Sequence, residues 1–328
     1  MRDLTRAWRS RGSAACKAQT MMLRTATDQF PGWSEGLSVW PSPAKLNLFL
    51  HITGRRDDGY HLLQTVFQLL DVGDQLAFES RSDSVIRLVD QIESVAEKEN
   101  LVWRAANVLA QSAPSLQKNL GVDIYLKKIL PMGGGLGGGS SNAATTLVAL
   151  NKVWQLQYPI EKLAEIGLSL GADVPVFVRG LSSWAEGVGE KLQALTLPES
   201  WFVVIHPGVH ISTEKLFGHS ELTRDCTPIT IRGFCDGRAT RNVFEPLACK
   251  QQASVRVALA RLAEARHSYS SESGNAPRLT GTGSCVFMAC ETESEARNVL
   301  SAVMETEENS MSGFVAKGIN ESPLVRMR

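Results

Sequence analysis

A chain of 328 residues, of which 43% are hydrophobic, has the size and composition of about two globular domains. Its 34 basic and 34 acidic residues give a formal net charge of +0, which provides no basic field for nucleic acid and no acidic tail. No apolar run approaches the roughly 18 residues of a membrane helix. The six cysteines contain no Cys-x-x-Cys pair that would indicate zinc. We therefore expect a cytoplasmic protein with reduced thiols that binds neither nucleic acid nor membrane.

Residues 1–39 differ from the rest of the chain, because basic residues are scattered among Ser, Ala and Thr without a strand or helix period. The apolar block of a secretory signal is absent, and three acidic residues weaken an interpretation as an organelle-targeting peptide. We expect a disordered leader. A start codon placed too far upstream, with Met21 or Met22 as later candidates, would explain the same composition.

From Trp40 onward the patterning predicts ordered elements. The predicted strands of the first half cover 44–52, 62–70, 75–79, 85–89, 122–126 and 176–178. The predicted helices of the first half begin at a cap on Asn100, near Ser140 or Ser141, and at Pro159. The second half has predicted strands at 201–205, 284–289 and 314–316, and helices at 255–265 and 292–303. Because no regular strand–helix–strand repeat is present, the sequence predicts an α+β protein with domains at 40–195 and 196–328.

A glycine-rich segment separates the strand at 122–126 from the helix that follows it. Glycine permits positive φ and a close backbone approach, so consecutive N–H groups can surround an anion, and the helix adds the positive end of its dipole. A flexible linker would not stand between a strand and a helix. We predict a polyphosphate site on Pro131, Met132, Gly133, Gly134, Gly135, Leu136, Gly137, Gly138, Gly139, Ser140 and Ser141.

Three common nucleotide-binding signatures do not describe this loop. A P-loop requires a Lys directly before its Ser or Thr, and no Lys precedes Ser140. The spacing of Gly133, Gly135 and Gly138 matches a dinucleotide-binding fingerprint formally, but the acidic residue expected after a following strand is absent. The motif set of protein kinases is absent too.

The loop resembles that of the galactokinase–homoserine kinase–mevalonate kinase (GHMP) superfamily, which has the form Pro-x-x-x-Gly-Leu-Gly-Ser-Ser. Two further motifs of that superfamily occur in the expected order, at 42–48 and 279–285. Within the superfamily the chain is most similar to the 4-diphosphocytidyl-2-C-methyl-D-erythritol kinase family, through its residues 43–48, 58–64, 131–141 and 171–177. The Gly-Tyr-His stretch at 59–61 discriminates most strongly, because other kinases of the superfamily are not expected to have it.

The resemblance implies an ATP-binding N-terminal domain, a smaller ferredoxin-like C-terminal domain and an active site between them. It implies ATP with Mg²⁺ as the phosphoryl donor and a cytidine diphosphate-linked methylerythritol as the small-molecule substrate. The reaction would phosphorylate the 2-hydroxyl of that substrate in the non-mevalonate route to isoprenoid precursors. The metal ligands and the oligomeric state are not indicated.

Asp173 and Lys45 are the catalytic candidates. Asp173 lies on a tight turn, where a fixed carboxylate can accept a hydroxyl proton, and a turn or N-cap Asp is the ordinary alternative. Strand alternation places Lys45, Asn47 and Phe49 on one face, where Asn47 can meet a substrate hydroxyl, unless the face is simply solvated. The resemblance implies that Lys45 pairs with Asp173 and the reacting oxygen, which would keep the carboxylate ionised.

By resemblance, Tyr60 stacks on cytosine and His61 hydrogen-bonds its edge. A core Tyr and a structural His are the alternative. Phe217 resembles a second aromatic wall of that slot. Thr213 resembles a donor to the phosphates or the polyol, or it caps the segment that runs to Phe217. Asn100 resembles an adenine-pocket residue as well as a helix cap.

Ser140 and Ser141 could ligate Mg²⁺ or cap the helix that follows them. Two rival functions are a superfamily kinase for another alcohol, such as homoserine or mevalonate, and a non-catalytic nucleotide-binding relative. The Gly-Tyr-His stretch argues against the first rival. The presence of both Lys45 and Asp173 argues against the second.

Overall fold

The computed structural model describes residues 33, 36–90, 92, 95–116, 119–238, 240–269, 276–305 and 310–328. Residues Trp40–Arg328 form one compact unit. The predicted leader at 1–39 lies largely outside the described residues, so its expected disorder stays a prediction.

Strands and helices of the described residues follow one another in mixed order. The strands are β1 (Trp40–Arg55), β2 (His61–Arg81), β3 (Ile86–Leu88), β4 (Gly121–Lys127), β5 (Ser183–Glu186), β6 (Lys191–Ala194), β7 (Trp201–His206), β8 (Arg278–Leu279), β9 (Val286–Cys290) and β10 (Ser312–Ile319). The helices are α1 (Leu101–Gln111), α2 (Gly138–Val153), α3 (Ile160–Leu168), α4 (Val174–Arg179), α5 (Thr213–Phe217), α6 (Ile231–Cys235), α7 (Glu245–Gln251), α8 (Ala253–Tyr269) and α9 (Glu293–Met304). This order confirms the predicted α+β class.

The β1–β2 antiparallel hairpin is the centre from which the sheet extends. On one side β2 pairs with β4, and β3 joins β4 in parallel. The pairs of β2 with β5 and of β5 with β6 are antiparallel. Strand β10 connects the two halves of the chain, because Gly318 and Ile319 pair with β2 while the earlier part of β10 pairs with β7. From β7 the sheet continues through β9 to β8.

Helix α1 shows how local sequence sets the packing of the first half. Asn100 accepts a hydrogen bond from the N–H of Val102 at 2.9 Å, which confirms the predicted N-cap. Val102, Ala105, Ala106 and Leu109 recur at i, i+3, i+4 and i+7 and are buried, so α1 turns one apolar face inward. That face belongs to the core that also contains α2, α3 and α4.

A second core belongs to the other half of the chain. Leu262 of α8 and Val299 of α9 pack with Val203 of β7 and Met288 of β9. Separate cores in the two halves suit the predicted two-domain layout, because each domain needs its own buried interior. The boundary between 195 and 196 stays a prediction.

Two local predictions are wrong. The run at 176–178 is part of helix α4 and not a strand, since a short, fully buried apolar run has no period that separates the two, and Pro175 suits a first helical turn. Phe49 leaves the face of Lys45 and Asn47, because the pairing register of β1 shifts between Asn47 and Leu50. Leu50 lines the pocket instead, and Phe49 packs in another apolar cluster.

Within the described parts of the chain, no helix is both long and apolar enough to cross a membrane. The cysteines that the structure describes are free thiols, namely Cys226, Cys235, Cys249, Cys285 and Cys290.

Candidate active site

The glycine-rich loop runs from the end of β4 to the start of α2. Gly133, Gly135 and Gly137 have φ of 68°, 76° and 72°, in the left-handed region that disfavours side chains. Space is also short, because a Cβ added at Gly135 would lie 2.2 Å from the carbonyl oxygen of Thr280. Backbone geometry therefore favours glycine at every second position of the loop, and close packing requires it at Gly135.

The carbonyl groups of the loop are held by the protein. Lys45 donates its backbone N–H to the carbonyl oxygen of Leu136 at 3.0 Å, and Cys285 donates likewise to Gly134 at 3.0 Å. The side chain of Lys45 donates to the carbonyl oxygen of Gly135 at 2.9 Å. The first N–H groups of α2 have no partner within the helix. An anion at this end of α2 meets donors and the positive end of the dipole.

Ser140 and Ser141 do not cap α2, so that alternative is wrong. The helix begins at Gly138, its N-cap is Gly137, and no side chain makes the capping bond. Ser141 is buried, and its hydroxyl is hydrogen-bonded to that of Ser42 at 2.9 Å. Ser140 lines the pocket and remains the hydroxyl able to meet a ligand.

Asp74 holds the residues that lead into the glycine loop, and the sequence analysis did not identify it. Its carboxylate is fully buried and accepts from the N–H groups of Ile129 and Leu130 at 2.7 and 2.8 Å. The ammonium of Lys128 donates to the same carboxylate. No local motif marks an Asp whose partners lie more than 50 residues away.

Lys45 and Asp173 meet beside this loop. Nζ of Lys45 lies 3.4 Å from Oδ2 of Asp173, with exposed fractions of 3% and 33%. Nζ also donates to Oδ1 of Asn47 at 2.5 Å, and the amide nitrogen of Asn47 donates to the hydroxyl of Thr65 at 3.0 Å. Thr65 in turn donates to the carbonyl oxygen of Phe49. These bonds fix the amide so that its oxygen faces the ammonium.

Asp173 occupies the residue before α4, but its side chain makes no capping bond. The N-cap alternative is therefore wrong as an account of the carboxylate, which pairs with Lys45 instead. Thr213 is not a cap either, because Ser212 caps α5 by accepting from the N–H of Lys215. The hydroxyl of Thr213 lies 2.8 Å from that of Thr282.

A pocket of about 870 Å³ opens beside the Lys45–Asp173 pair and takes its walls from both halves of the chain. The predicted site residues that line it are Lys45, Asn47, Tyr60, His61, Gly133, Gly135, Gly137, Ser140, Asp173, Thr213 and Phe217. The predicted nucleotide residues that do not line it are Asn100, Pro131, Met132, Gly134, Leu136, Gly138, Gly139 and Ser141. Lining residues without a sequence-based role include Leu50, Arg55, Asp58, Thr65, Phe67 and His210.

The side chains of Tyr60, His61 and Phe217 line one part of the pocket, which we call its aromatic end. The rings of His61 and Phe217 lie 5.1 Å apart at 37°, and Phe217 meets Phe244 edge-on at 4.8 Å. Tyr60 is 65% exposed, which is unusual for a tyrosine with a core role. The alternative of a core Tyr is therefore wrong, and its ring is free to stack on a ligand.

Burial shifts the pKa of two groups, one on the pocket wall and one against the glycine loop. The pKa of His61 is lowered, first by desolvation and then by the charges of Arg224 and Arg55. Burial raises the pKa of the Cys285 thiol far above its ordinary value. Both groups are therefore neutral at pH 7.

No group of three or more His, Cys, Asp or Glu side chains in the described residues is placed to hold a metal ion. Mg²⁺ that is bound together with a nucleotide needs no such cage, since it keeps several waters and binds phosphate oxygens with one or two protein ligands. Ser140 faces the turn before Asp173, because a Cβ added at Gly171 would lie 3.8 Å from its Oγ. The hydroxyl of Ser140, in the first turn of α2 and on the pocket wall, fits that donor set.

Comparison with known proteins found similar sequences and similar structures. Residues 100–181 match the GHMP kinases N terminal domain. A curated 4-diphosphocytidyl-2-C-methyl-D-erythritol kinase of Pseudomonas entomophila (strain L48) is 50% identical over 286 residues, which cover 87% of this chain and 94% of that protein. A kinase of the same name from Pseudomonas putida is 51% identical over 287 residues, with the same coverage.

Solved structures show the same fold. A 4-(cytidine 5'-diphospho)-2C-methyl-D-erythritol kinase is 30% identical with a TM-score of 0.69, and the match covers 86% of this chain and 99% of that chain. A homoserine kinase from Cytophaga hutchinsonii ATCC 33406 matches 86% of this chain and 95% of its own at a TM-score of 0.58, but its identity of 14% supports the fold alone. The GHMP kinase fold expected from the resemblance is confirmed, and the two-domain layout is consistent with it.

Proposed function

Because this chain belongs to the 4-diphosphocytidyl-2-C-methyl-D-erythritol kinase family of GHMP kinases, we propose that it transfers the γ-phosphate of ATP to the 2-hydroxyl of 4-diphosphocytidyl-2-C-methyl-D-erythritol. The observation that carries this proposal is the Lys45–Asp173 pair, which lines one pocket together with glycines of the loop and with aromatic side chains. A phosphoryl donor and an alcohol acceptor can meet there. The reaction belongs to the non-mevalonate route to isoprenoid precursors.

ATP would place its phosphates on the loop from Pro131 to Ser141. The left-handed glycines and the first turn of α2 supply N–H donors, and the loop carbonyls are held by other bonds. Asn100 caps α1, and Leu101 beside it would lie 3.4 Å from a Cβ added at Gly139. The start of α1 thus borders the loop, which supports a place for Asn100 near the nucleotide.

Asp173 would act as the base for the acceptor hydroxyl. Its carboxylate is partly exposed to the pocket and needs no large movement to reach a ligand. Phosphoryl transfer has a loose transition state, so the proton leaves late and positioning matters more than base strength. Lys45 would orient this carboxylate and stabilise the charge that develops on the transferring group.

The aromatic end of the pocket would bind the cytosine base. Tyr60 and Phe217 would stack on it, and His61 would hydrogen-bond its edge. Asn47 and Thr213 line the same pocket, and their amide and hydroxyl groups suit the polyol and the diphosphate.

Mg²⁺ would accompany ATP and neutralise phosphate charge, held through Ser140 with its remaining sites on water and phosphate. We propose the cytoplasm as the location, which suits the free thiols of the described cysteines.

The direct test is ADP release by the purified full-length chain, supplied with ATP and Mg²⁺. We expect ADP to form with the cytidine substrate and not with buffer, homoserine or mevalonate. Preference for homoserine or mevalonate would move the chain to the first rival function. A folded sample that binds ATP but releases no ADP with the cytidine substrate would favour a non-catalytic relative.

A further inference from the structure

Arg224 belongs to no sequence motif, yet its guanidinium connects separate parts of the pocket wall. Its Nε donates to Nε2 of His61 at 3.1 Å. Its Nη2 donates to the carbonyl oxygens of Phe217 and His219 at 2.8 and 2.9 Å, and its Nη1 donates to that of Leu222 at 3.1 Å. One side chain therefore ties the first residue of β2 to the end of α5 and to the loop that follows.

These bonds determine which nitrogen of His61 carries the proton. A guanidinium has only donors and stays protonated in proteins, so Nε2 of His61 must be the unprotonated nitrogen. The proton of the neutral ring then lies on Nδ1. The lowered pKa of His61, caused by burial and by the charges of Arg224 and Arg55, supports the neutral form. The hydrogen-bonding group left for a ligand is the Nδ1–H donor.

Arg224 also restrains the aromatic wall. It binds the backbone carbonyl of Phe217, whose ring contacts His61 on one side and Phe244 on the other. Removing the guanidinium would release both the imidazole and the backbone that carries the neighbouring ring. The side chain is half-buried and Arg224 does not line the pocket itself, so its effect on a ligand would pass through these two residues.

We propose that Arg224 is a positioning residue that sets base specificity, because it presents His61 as a fixed Nδ1–H donor to the pyrimidine edge. The inference rests on the proposed function, which places cytosine at this end of the pocket. Cytosine has an acceptor at N3, whereas uracil has an N–H there. A donor fixed opposite N3 therefore favours cytosine over uracil.

Arg224→Met removes every donor and keeps the apolar stem. We expect it to raise KM for the cytidine substrate about 10- to 100-fold, the scale of a lost hydrogen-bond set to a charged group, with kcat and KM for ATP nearly unchanged. The kcat/KM preference for the cytidine substrate over its uridine analogue should fall about tenfold or more. Arg224→Lys keeps the charge but cannot reach His61 and both carbonyls. We therefore expect its KM and its base preference to lie between those of wild type and Arg224→Met.

Arg232→Met is the matched control, because Arg232 is almost fully exposed on α6 and only pairs with Asp236. It should leave all of these constants unchanged. An unchanged KM and base preference in Arg224→Met would overturn the proposal. An equal rise of KM for the cytidine substrate and for ATP would also overturn the proposal, because it would indicate general damage to the protein and not a loss of base binding.

The tautomer provides a second test, measured on the wild-type protein, that does not depend on whether Arg224→Met folds. Nitrogen NMR of histidine-labelled wild-type protein, with His61 assigned through His61→Gln, should show a proton on Nδ1 and none on Nε2. A proton on Nε2 would overturn the proposal. If the wild-type chain does not phosphorylate the cytidine substrate, the proposed function fails. An active wild type with an unaltered Arg224→Met profile refutes only the role of Arg224.

Discussion

The ammonium of Lys45 lies 3.4 Å from the carboxylate of Asp173, and the two side chains come from β1 and from the turn before α4. Lys45 is buried and bonded to Asn47 and to the loop carbonyl of Gly135, whereas Asp173 remains open to the pocket. The pair therefore has one partner held by the protein and one available to a ligand. Its charge is oriented before the substrate arrives, which is how electrostatic stabilisation is most effective.

Asp173→Asn should reduce turnover at least ~100-fold, because it removes the proposed base while it preserves shape. ATP binding should change little, since no contact of the glycine loop is lost. Steady-state ADP release and an ATP titration measure the two effects. Asp236→Asn, at the exposed end of α6, is the matched control and should behave as wild type. Near-normal turnover in Asp173→Asn would remove Asp173 from the proposed role.

Thr65→Val should reduce kcat about 5- to 10-fold through Asn47. The hydroxyl of Thr65 accepts from the amide of Asn47, and loss of one such bond is worth about 1 kcal/mol. The amide would then be free to turn its oxygen away from Lys45. Thr53→Val is the control, because Thr53 lies in the same hairpin and donates only a long bond to Leu62 at 3.4 Å. An equal loss of kcat in Thr65→Val and Thr53→Val would contradict the proposal that Thr65 acts through Asn47.

Local signals predicted much of this fold because they act over a few residues. The cap on Asn100, the i, i+3, i+4 spacing of α1 and the alternation in β1 need only neighbouring side chains to be recognised. The shift near Phe49 could not be predicted, since it depends on how β1 pairs with β2. The helix α4 was missed for a related reason, as full burial removes the contrast that gives a period.

The residues of the candidate site also fall into those that the sequence could predict and those that it could not. The glycine loop, Lys45 and Asp173 lie in recognisable stretches of sequence, and the structure brings them together. Asp74 and Arg224 have no such signal, because Lys128, which pairs with Asp74, and His61, which pairs with Arg224, are 54 and 163 residues away. Residues that hold a site in place through distant contacts emerge only once the chain is folded.

Gly135→Ala should damage the loop. The left-handed φ of 76° costs an alanine about 1–2 kcal/mol, and its Cβ would lie 2.2 Å from the carbonyl oxygen of Thr280. We expect a lower midpoint of urea unfolding and a raised KM for ATP. Gly139→Ala places the same methyl group in the first turn of α2, at an ordinary 3.4 Å from Leu101. It should retain or slightly raise stability, and an equal fall in both midpoints would refute the argument.

Tyr60→Ala should raise KM for the cytidine substrate about 5- to 100-fold, the range for loss of one base–aromatic stack. The exposed position of Tyr60 means that stability should hardly change, so a melting curve separates binding from folding. Tyr60→Phe keeps the ring and removes the hydroxyl, and it should remain close to wild type. A raised KM in Tyr60→Phe that equals that of Tyr60→Ala would show that the hydroxyl and not the ring makes the contact.

Asp74→Ala should lower the free energy of unfolding by about 2–4 kcal/mol. The change leaves the N–H groups of Ile129 and Leu130 without their acceptor and the ammonium of Lys128 without its partner. Urea denaturation measures the effect. Glu199→Ala is the control, because Glu199 is 74% exposed, pairs with Lys317 at the surface and should leave the midpoint almost unchanged when it is lost. A similar midpoint for both variants would mean that Asp74 does not hold the entrance to the glycine loop.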